Sequence, residues 1–172
     1  DQILEQFRRG VGDYVGFEFP RQVFYLGKWI RHGEWNPDIK LRLFLKDRGH
    51  SGGQEPHDIV IVDGPVKTLT GKLWHYTYRN LKHHLDVVNH FSSISAREMY
   101  HSGRRFHLWD LLMRPPAQFL KGYILKCGYL DGLRGFIVAT VVAYGAFMKY
   151  AKLWECKWED IMDRETRPNH ED

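Results

Sequence analysis

The densest set of reactive side chains lies in one short stretch, Gly52-Gly53-Gln54-Glu55-Pro56-His57-Asp58. Three titratable groups, Glu55, His57 and Asp58, fall within four residues, just before the apolar run Ile59–Val62. A carboxylate on the rim of a glycine-rich loop suits general-base work, a role worth about 10²–10⁴ in rate. The same spacing also describes a hairpin turn whose acids stay solvated. His75, in Leu73-Trp74-His75-Tyr76, sits in a short apolar strand pattern, where a histidine satisfied by backbone is the simpler role. Among the ten histidines, His83, His84 and His90 fall on one helical stretch, and only Asp86–His90 has a ligand-like spacing, which reads as a solvated helix face. Cys127 and Cys156 are not in a CxxC pair, so neither a structural zinc site nor a disulfide framework is expected, and a reducing compartment fits. There is no GxxxxGK[ST], no GxSxG, no HExxH and no kinase motif set. Ser51-Gly52-Gly53 lacks the lysine and helix that a phosphate loop needs.

Two kinds of element must position these groups. Residues 14–19 alternate Tyr14, Gly16 and Glu18 against Val15, Phe17 and Phe19, the period of a strand, which Pro20 is expected to end. RQVFYLGKWI is a second extended segment, HGEWNPD a turn, and KLRLFLKD a strand with one wet face. IVIVDGPV, KTLTG and KLWHYTY are short β-like pieces. From Asn80, a suitable N-cap, Leu81, Leu85, Val88, Phe91, Ile94 and Met99 recur at helical spacing. SGRR at 102–105 breaks that helix, HLWDLLMR forms a short one, Pro115-Pro116 restarts another to about Lys126, and a long helix is expected from Asp131 to about Trp158. The fold class is therefore α+β: a small, mostly antiparallel sheet over residues 14–78 followed by three or four helices. One further amphipathic helix is expected in DQILEQFRRG, with Ile3, Leu4 and Phe7 on one face. The chain opens without an initiator Met inside that pattern, as expected of a carboxy-terminal piece of a longer protein.

Composition bears on partners. Hydrophobic residues make up 43% and charged residues 27% of the 172, which excludes intrinsic disorder. Six Trp, nine Tyr and ten Phe require a core, an interface or a membrane surface to cover them. Net charge is +4, but residues 155–172 hold seven acids against Lys157, Arg164 and Arg167, so the basic character sits in the body. The uncharged run Phe136–Met148 is 13 residues, about 20 Å of helix, and too short to span a bilayer. Its neighbourhood carries Arg104, Arg105, Arg114, Lys121, Lys126, Arg134, Lys149 and Lys152 against only Asp110 and Asp131, interleaved with Trp109, Phe119, Tyr123, Tyr129, Tyr144 and Trp154. Basic residues with Trp and Tyr are what an interfacial segment on an anionic leaflet requires. A buried core helix is the alternative. A basic nucleic-acid-binding domain is the weaker alternative, and no nucleic-acid partner is expected, because the basic residues alternate with a large apolar helix instead of lining a polar face.

The ordered segments EFPRQVFYLGKWIRHGEWNPDIKLRLF, GGQEPHDIV, GKLWHYTYRNLKHHL and GYLDGLRGFIVATVVAYGAFMKYAKLWE resemble the carboxy-terminal part of bacterial family 2 glycosyltransferases, the group that adds a hexose to lipopolysaccharide core or another glycolipid. The resemblance covers nearly the whole chain. It implies a partial GT-A fold lacking the nucleotide-binding half, whose acidic DxD-like motif is not found here; the one DxE, Asp163-Arg164-Glu165, lies in the acidic tail. It implies three regions: an acceptor-side, base-bearing portion over 1–79, a helical membrane-associating region over 80–158 and a flexible acidic tail over 159–172. It also implies that Asp58 is the base of an inverting transfer, that His57 orients it or contacts acceptor, and that Glu55 is the reserve base. His75 would be a metal ligand, and Trp35 and Arg42 would bind acceptor by sugar stacking and phosphate pairing. The implied cofactor is a divalent metal, Mg or Mn, held mainly by the missing half. The implied partners are a nucleotide-sugar donor reached through that half, a glycolipid acceptor, an anionic membrane surface and, in a homo-oligomer, a second copy. The place is the cytoplasmic face of the bacterial inner membrane, peripherally bound, and the isolated piece is expected to be inactive. A non-catalytic membrane-anchoring module is the rival reading.

Overall fold

A computed structural model describes residues 12–52 and 59–166, with Glu5 and Gly10. The amino-terminal helix expected from Ile3, Leu4 and Phe7 lies outside the described residues. Among the described residues from Gly12 on, seven strands precede three α-helices: β1 (Gly16–Tyr25), β2 (Lys28–Trp29), β3 (Asp38–Phe44), β4 (Gly49–Gly52), β5 (Ile59–Val62), β6 (Val66–Thr68), β7 (Leu73–Tyr76), α1 (Leu81–His101), α2 (Leu108–Leu120) and α3 (Leu133–Thr166). The α+β class is as expected.

All pairing in the main sheet runs through β1. β2 and β3 lie antiparallel to it, and β6 and β7 lie parallel to it, so the sheet is mixed. β4 and β5 form a separate antiparallel pair. Pro20 does not end β1 as its ring would suggest. β6 pairs with residues 16–18 and β7 with residues 21–24, so Pro20 falls in the interval between two neighbours, where its missing N–H removes no ladder bond on that side.

Asn80 caps α1 as expected: its side chain accepts from the backbone N–H of His83 at 2.8 Å. Pro115 and Pro116 do not divide α2. The helix runs through them and passes into a π turn over Lys121–Leu125. Both rings line a hollow shared with Ala143, Tyr144 and Phe147 of α3, the helix on which α2 packs, and that packing carries the segment across the missing N–H groups. α3 continues through Thr166, beyond Trp158 and into the segment that composition marks as a tail.

Apolar burial falls into three linked clusters. Phe17, Phe19 and Leu69 lie on the sheet. Tyr25, Ile30 and Val138 join the sheet to α3. Ala96, Tyr150 and Leu153 join α1 and α3, with Leu111 of α2 packed against them. A polar clamp also ties α3 to α1: the Lys152 ammonium donates to the Asn89 carbonyl and side chain, at 2.7 Å each, and to Ser92 and Ser93 Oγ at 2.8 and 2.7 Å.

Candidate functional site

Glu55, His57 and Asp58 lie outside the described residues. Their flanks are described. Gly52 pairs with Ile59 at the open end of the β4–β5 ladder, so the 53–58 segment joins two antiparallel strands.

His75 and Arg42 share one neighbourhood on the main sheet. β7 sets His75 beside Val23, and Leu73 beside Arg21. β3 sets Asp38 opposite Arg21, whose Nε donates to Asp38 Oδ2 at 2.7 Å. Lys40 Nζ is 3.5 Å from the other carboxylate oxygen. Burial pushes the His75 pKa down, Arg21 and Arg42 push it further, and Asp38 partly opposes them. The ring is therefore mainly neutral at pH 7, a lone-pair donor beside two guanidinium groups. That setting does not fit a metal on its own. No group of three His, Cys, Asp or Glu side chains converges among the described residues, and the one nearby carboxylate is already engaged by Arg21 and Lys40. His75 offers at most one ligand, too few to hold an ion.

Trp35 lies elsewhere. Its single 3₁₀ turn, Gly33–Trp35, carries the ring onto the cluster joining sheet to α3. Tyr25, Tyr78 and His84 lie 5.1, 5.7 and 5.3 Å from it, centre to centre. The indole is half-buried and spends much of its surface on protein rings. Beneath it, Tyr25 Oη and His84 Nδ1 meet at 2.8 Å in full burial. Burial, helped by neighbouring His83, pushes the His84 pKa down to about 4. The preceding Glu34 receives Lys121 and Lys126 at 3.3 and 3.2 Å on one oxygen, while its other oxygen is buried without a partner.

Residues that motif reasoning missed converge where the β1–β2 hairpin meets the start of α3. A cavity of about 840 Å³ opens there, with Lys28, Trp29 and Arg31 on one side and Leu130, Leu133 and Arg134 on the other. Leu26 and Gly27 both have positive φ, 44° and 82°, the geometry of a type I′ hairpin turn. Leucine adopts this region at a cost, and the turn is held by Arg134 Nε, which donates to the Leu26 carbonyl at 2.7 Å. The only local signal in sequence is the Leu-Gly pair between two extended runs.

The helical layer presents an apolar outer face. Trp109, Leu112 and Leu120 of α2, Leu125 in the π turn, and Leu130 and Leu133 before and at the start of α3 are each at least half exposed. Exposed or half-exposed Arg104, Arg114, Lys121 and Lys126 flank them. Within α3, Leu133–Trp158 is, by length and composition, long and apolar enough to cross a membrane, a longer apolar stretch than the uncharged 13-residue run alone.

No family model and no solved structure matches the chain. Among curated proteins it is 26% identical over 156 residues to the lipopolysaccharide core biosynthesis glycosyltransferase LpsC of Rhizobium meliloti, a match covering 90% of this chain and 58% of that protein. It is also 26% identical over 105 residues to an uncharacterized glycosyltransferase of Rickettsia typhi, covering 58% of this chain and 36% of the relative. A Rickettsia prowazekii counterpart is 24% identical over 103 residues, covering 56% of this chain and 35% of the relative. The chain thus spans less than two thirds of the length of these relatives. Over most of its own length it is similar to bacterial glycosyltransferases, one of them a lipopolysaccharide core enzyme.

Proposed function

We propose that the chain is the acceptor-side, membrane-associating part of an inverting glycosyltransferase of the family 2, GT-A type. It moves a hexose from a nucleotide-sugar to a lipid-anchored saccharide such as lipopolysaccharide core, at the cytoplasmic face of the bacterial inner membrane. The observation that carries this reading is the similarity to LpsC across 90% of the chain. The outward apolar and basic helical face supports the placement on anionic lipid.

In this reading Asp58 takes the proton of the acceptor hydroxyl. The freed oxygen attacks the anomeric carbon from the side opposite the nucleoside diphosphate, which departs with the bonding electron pair. One displacement inverts the centre and leaves no covalent intermediate. His57 orients the base, Glu55 is its reserve, and the guanidinium of Arg42 beside neutral His75 offers a hydrogen-bonding rim for acceptor. A divalent metal, Mg or Mn, belongs to the donor diphosphate, with its ligands supplied mainly from beyond this chain.

The test is Asp58→Asn in the full-length protein, assayed with membrane acceptor and labelled nucleotide-sugar. Transfer should fall at least about 10²-fold with donor binding unchanged. Turnover within a few-fold of the parent removes Asp58 from the role, whereas a parent protein that transfers no hexose favours the second reading, a non-catalytic tether, which the same exposed helical face would serve.

A further inference from the structure

We propose that the cavity between the β1–β2 hairpin and the start of α3 binds an anionic saccharide, a sugar ring carrying a phosphate or carboxylate group. Calling that ligand part of the acceptor rests on the glycosyltransferase reading above; the binding itself does not.

Charge is the first argument. Among the described residues lining the cavity the carboxylate is Asp131, and it is already engaged. Its Oδ2 accepts from the backbone N–H groups of Arg31 and His32 at 3.0 and 2.8 Å, and its Oδ1 faces His32 Nδ1 at 3.3 Å. Lys28, Arg31 and Arg134 therefore leave a cationic surplus. Arg134 spends Nε on the Leu26 carbonyl, which fixes its plane and leaves the two terminal nitrogens for a ligand. One of them runs along Gly27, 3.9 Å from where a Cβ would stand. A guanidinium so anchored is preorganised for a planar or tetrahedral oxyanion.

The second argument is a platform of rings continuous with the cavity wall. Trp29 lies 4.4 Å from Trp74 and 5.6 Å from Tyr76, centre to centre, and Phe24 closes the group at 4.9 Å from Trp29. β1–β7 register puts Gln22 and Phe24 beside Trp74 and Tyr76, so these side chains share one sheet face. Trp74 is 63% and Tyr76 70% exposed. Large flat rings left open beside a cationic hollow suit the apolar face of a pyranose. The volume of about 840 Å³ lies within the range of small-molecule sites. Exposed Leu130 and Leu133 form the opposite lip, so a sugar seated here has its anion among the cations and its lipid end toward the apolar helical face.

The probes are hexose 6-phosphate, the neutral hexose, inorganic phosphate, a nucleoside diphosphate and phosphatidylglycerol vesicles, titrated calorimetrically into the full-length protein. Hexose 6-phosphate should bind at least about tenfold more tightly than either hexose or phosphate, since ring and anion contribute together. Arg31→Gln should weaken it about tenfold. Trp74→Ala should reduce it to the level of inorganic phosphate. Both side chains are exposed, and unchanged melting temperatures will show that the fold survives. The proposal is overturned if both variants bind hexose 6-phosphate as the parent does. It is also overturned if they lose nucleoside diphosphate or vesicle binding while hexose 6-phosphate never exceeds free phosphate. Transfer assays on the same variants separate the two readings. Intact transfer with unaltered hexose 6-phosphate binding sinks the site alone. The expected binding pattern in a protein that transfers no hexose upholds the site and sinks the enzymatic reading.

Discussion

His84 should make the protein acid-labile over a defined range. The imidazole is buried with 1% exposure against the Tyr25 hydroxyl, and its pKa falls from the ordinary 6.5 to about 4. The folded state therefore refuses a proton that the unfolded chain accepts below pH 6.5. Stability from this group is intact above that pH and is lost as pH falls toward 4, where the folded ring also titrates. The slope is about 1.4 kcal/mol per pH unit, and the whole window is worth about 3 kcal/mol, a large share of a typical domain's stability. The assay is urea unfolding followed by circular dichroism, from pH about 7.5 to about 4.5, on the parent and on His84→Gln. At neutral pH the variant should be weaker by about 1–3 kcal/mol, because the Tyr25 hydroxyl loses its partner. That deficit should shrink steadily below pH 6.5, because the variant has no imidazole to titrate. A deficit that stays constant across the window would refute the reasoning, whatever the other histidines do.

Three further outcomes follow from the same structure. Leu125→Asp should weaken binding to anionic vesicles by about tenfold or more without lowering the melting temperature, since the side chain is 77% exposed and a fully buried leucine is worth about 2 kcal/mol. Lys152→Met should destabilise the protein by about 2 kcal/mol in chemical unfolding, because four oxygens of α1 lose the ammonium that ties them to α3. Asp131→Ala should free the backbone N–H groups of Arg31 and His32 and accelerate hydrogen exchange there, with a loss of about 2 kcal/mol; unchanged exchange at both amides would show that the carboxylate is dispensable.

Much of the fold is written locally. Asn80 announces α1, because a cap needs only its own three following residues. The alternation in KLRLF announces β3 for the same reason. Prolines mislead where the deciding contact is distant. Pro20 continues a strand because two parallel neighbours leave a gap opposite it, and Pro115-Pro116 continue a helix because α3 lies behind them. The site is less legible. Arg42 and His75 stand out separately in the sequence and do share a neighbourhood, through strands that both pair with β1. Trp35 has the look of a sugar platform, whereas its ring packs against Tyr25, Tyr78 and His84. An open group of rings, Trp74 and Tyr76 beside half-buried Trp29, lies elsewhere on the sheet, joined by register. No spacing rule could bring Arg31 to Asp131, a hundred positions away, and that contact shapes the cationic hollow.

The sole dependence of the main sheet on β1 has a consequence during synthesis. Glu18 must find Thr68, and Arg21 must find Leu73, about fifty positions later. Until that stretch has left the ribosome, β1 has only its hairpin partners and a bare edge carrying Phe17 and Phe19. A nascent chain stalled in this interval offers an open template to any neighbouring strand, and closing those long loops is the slow part of its birth.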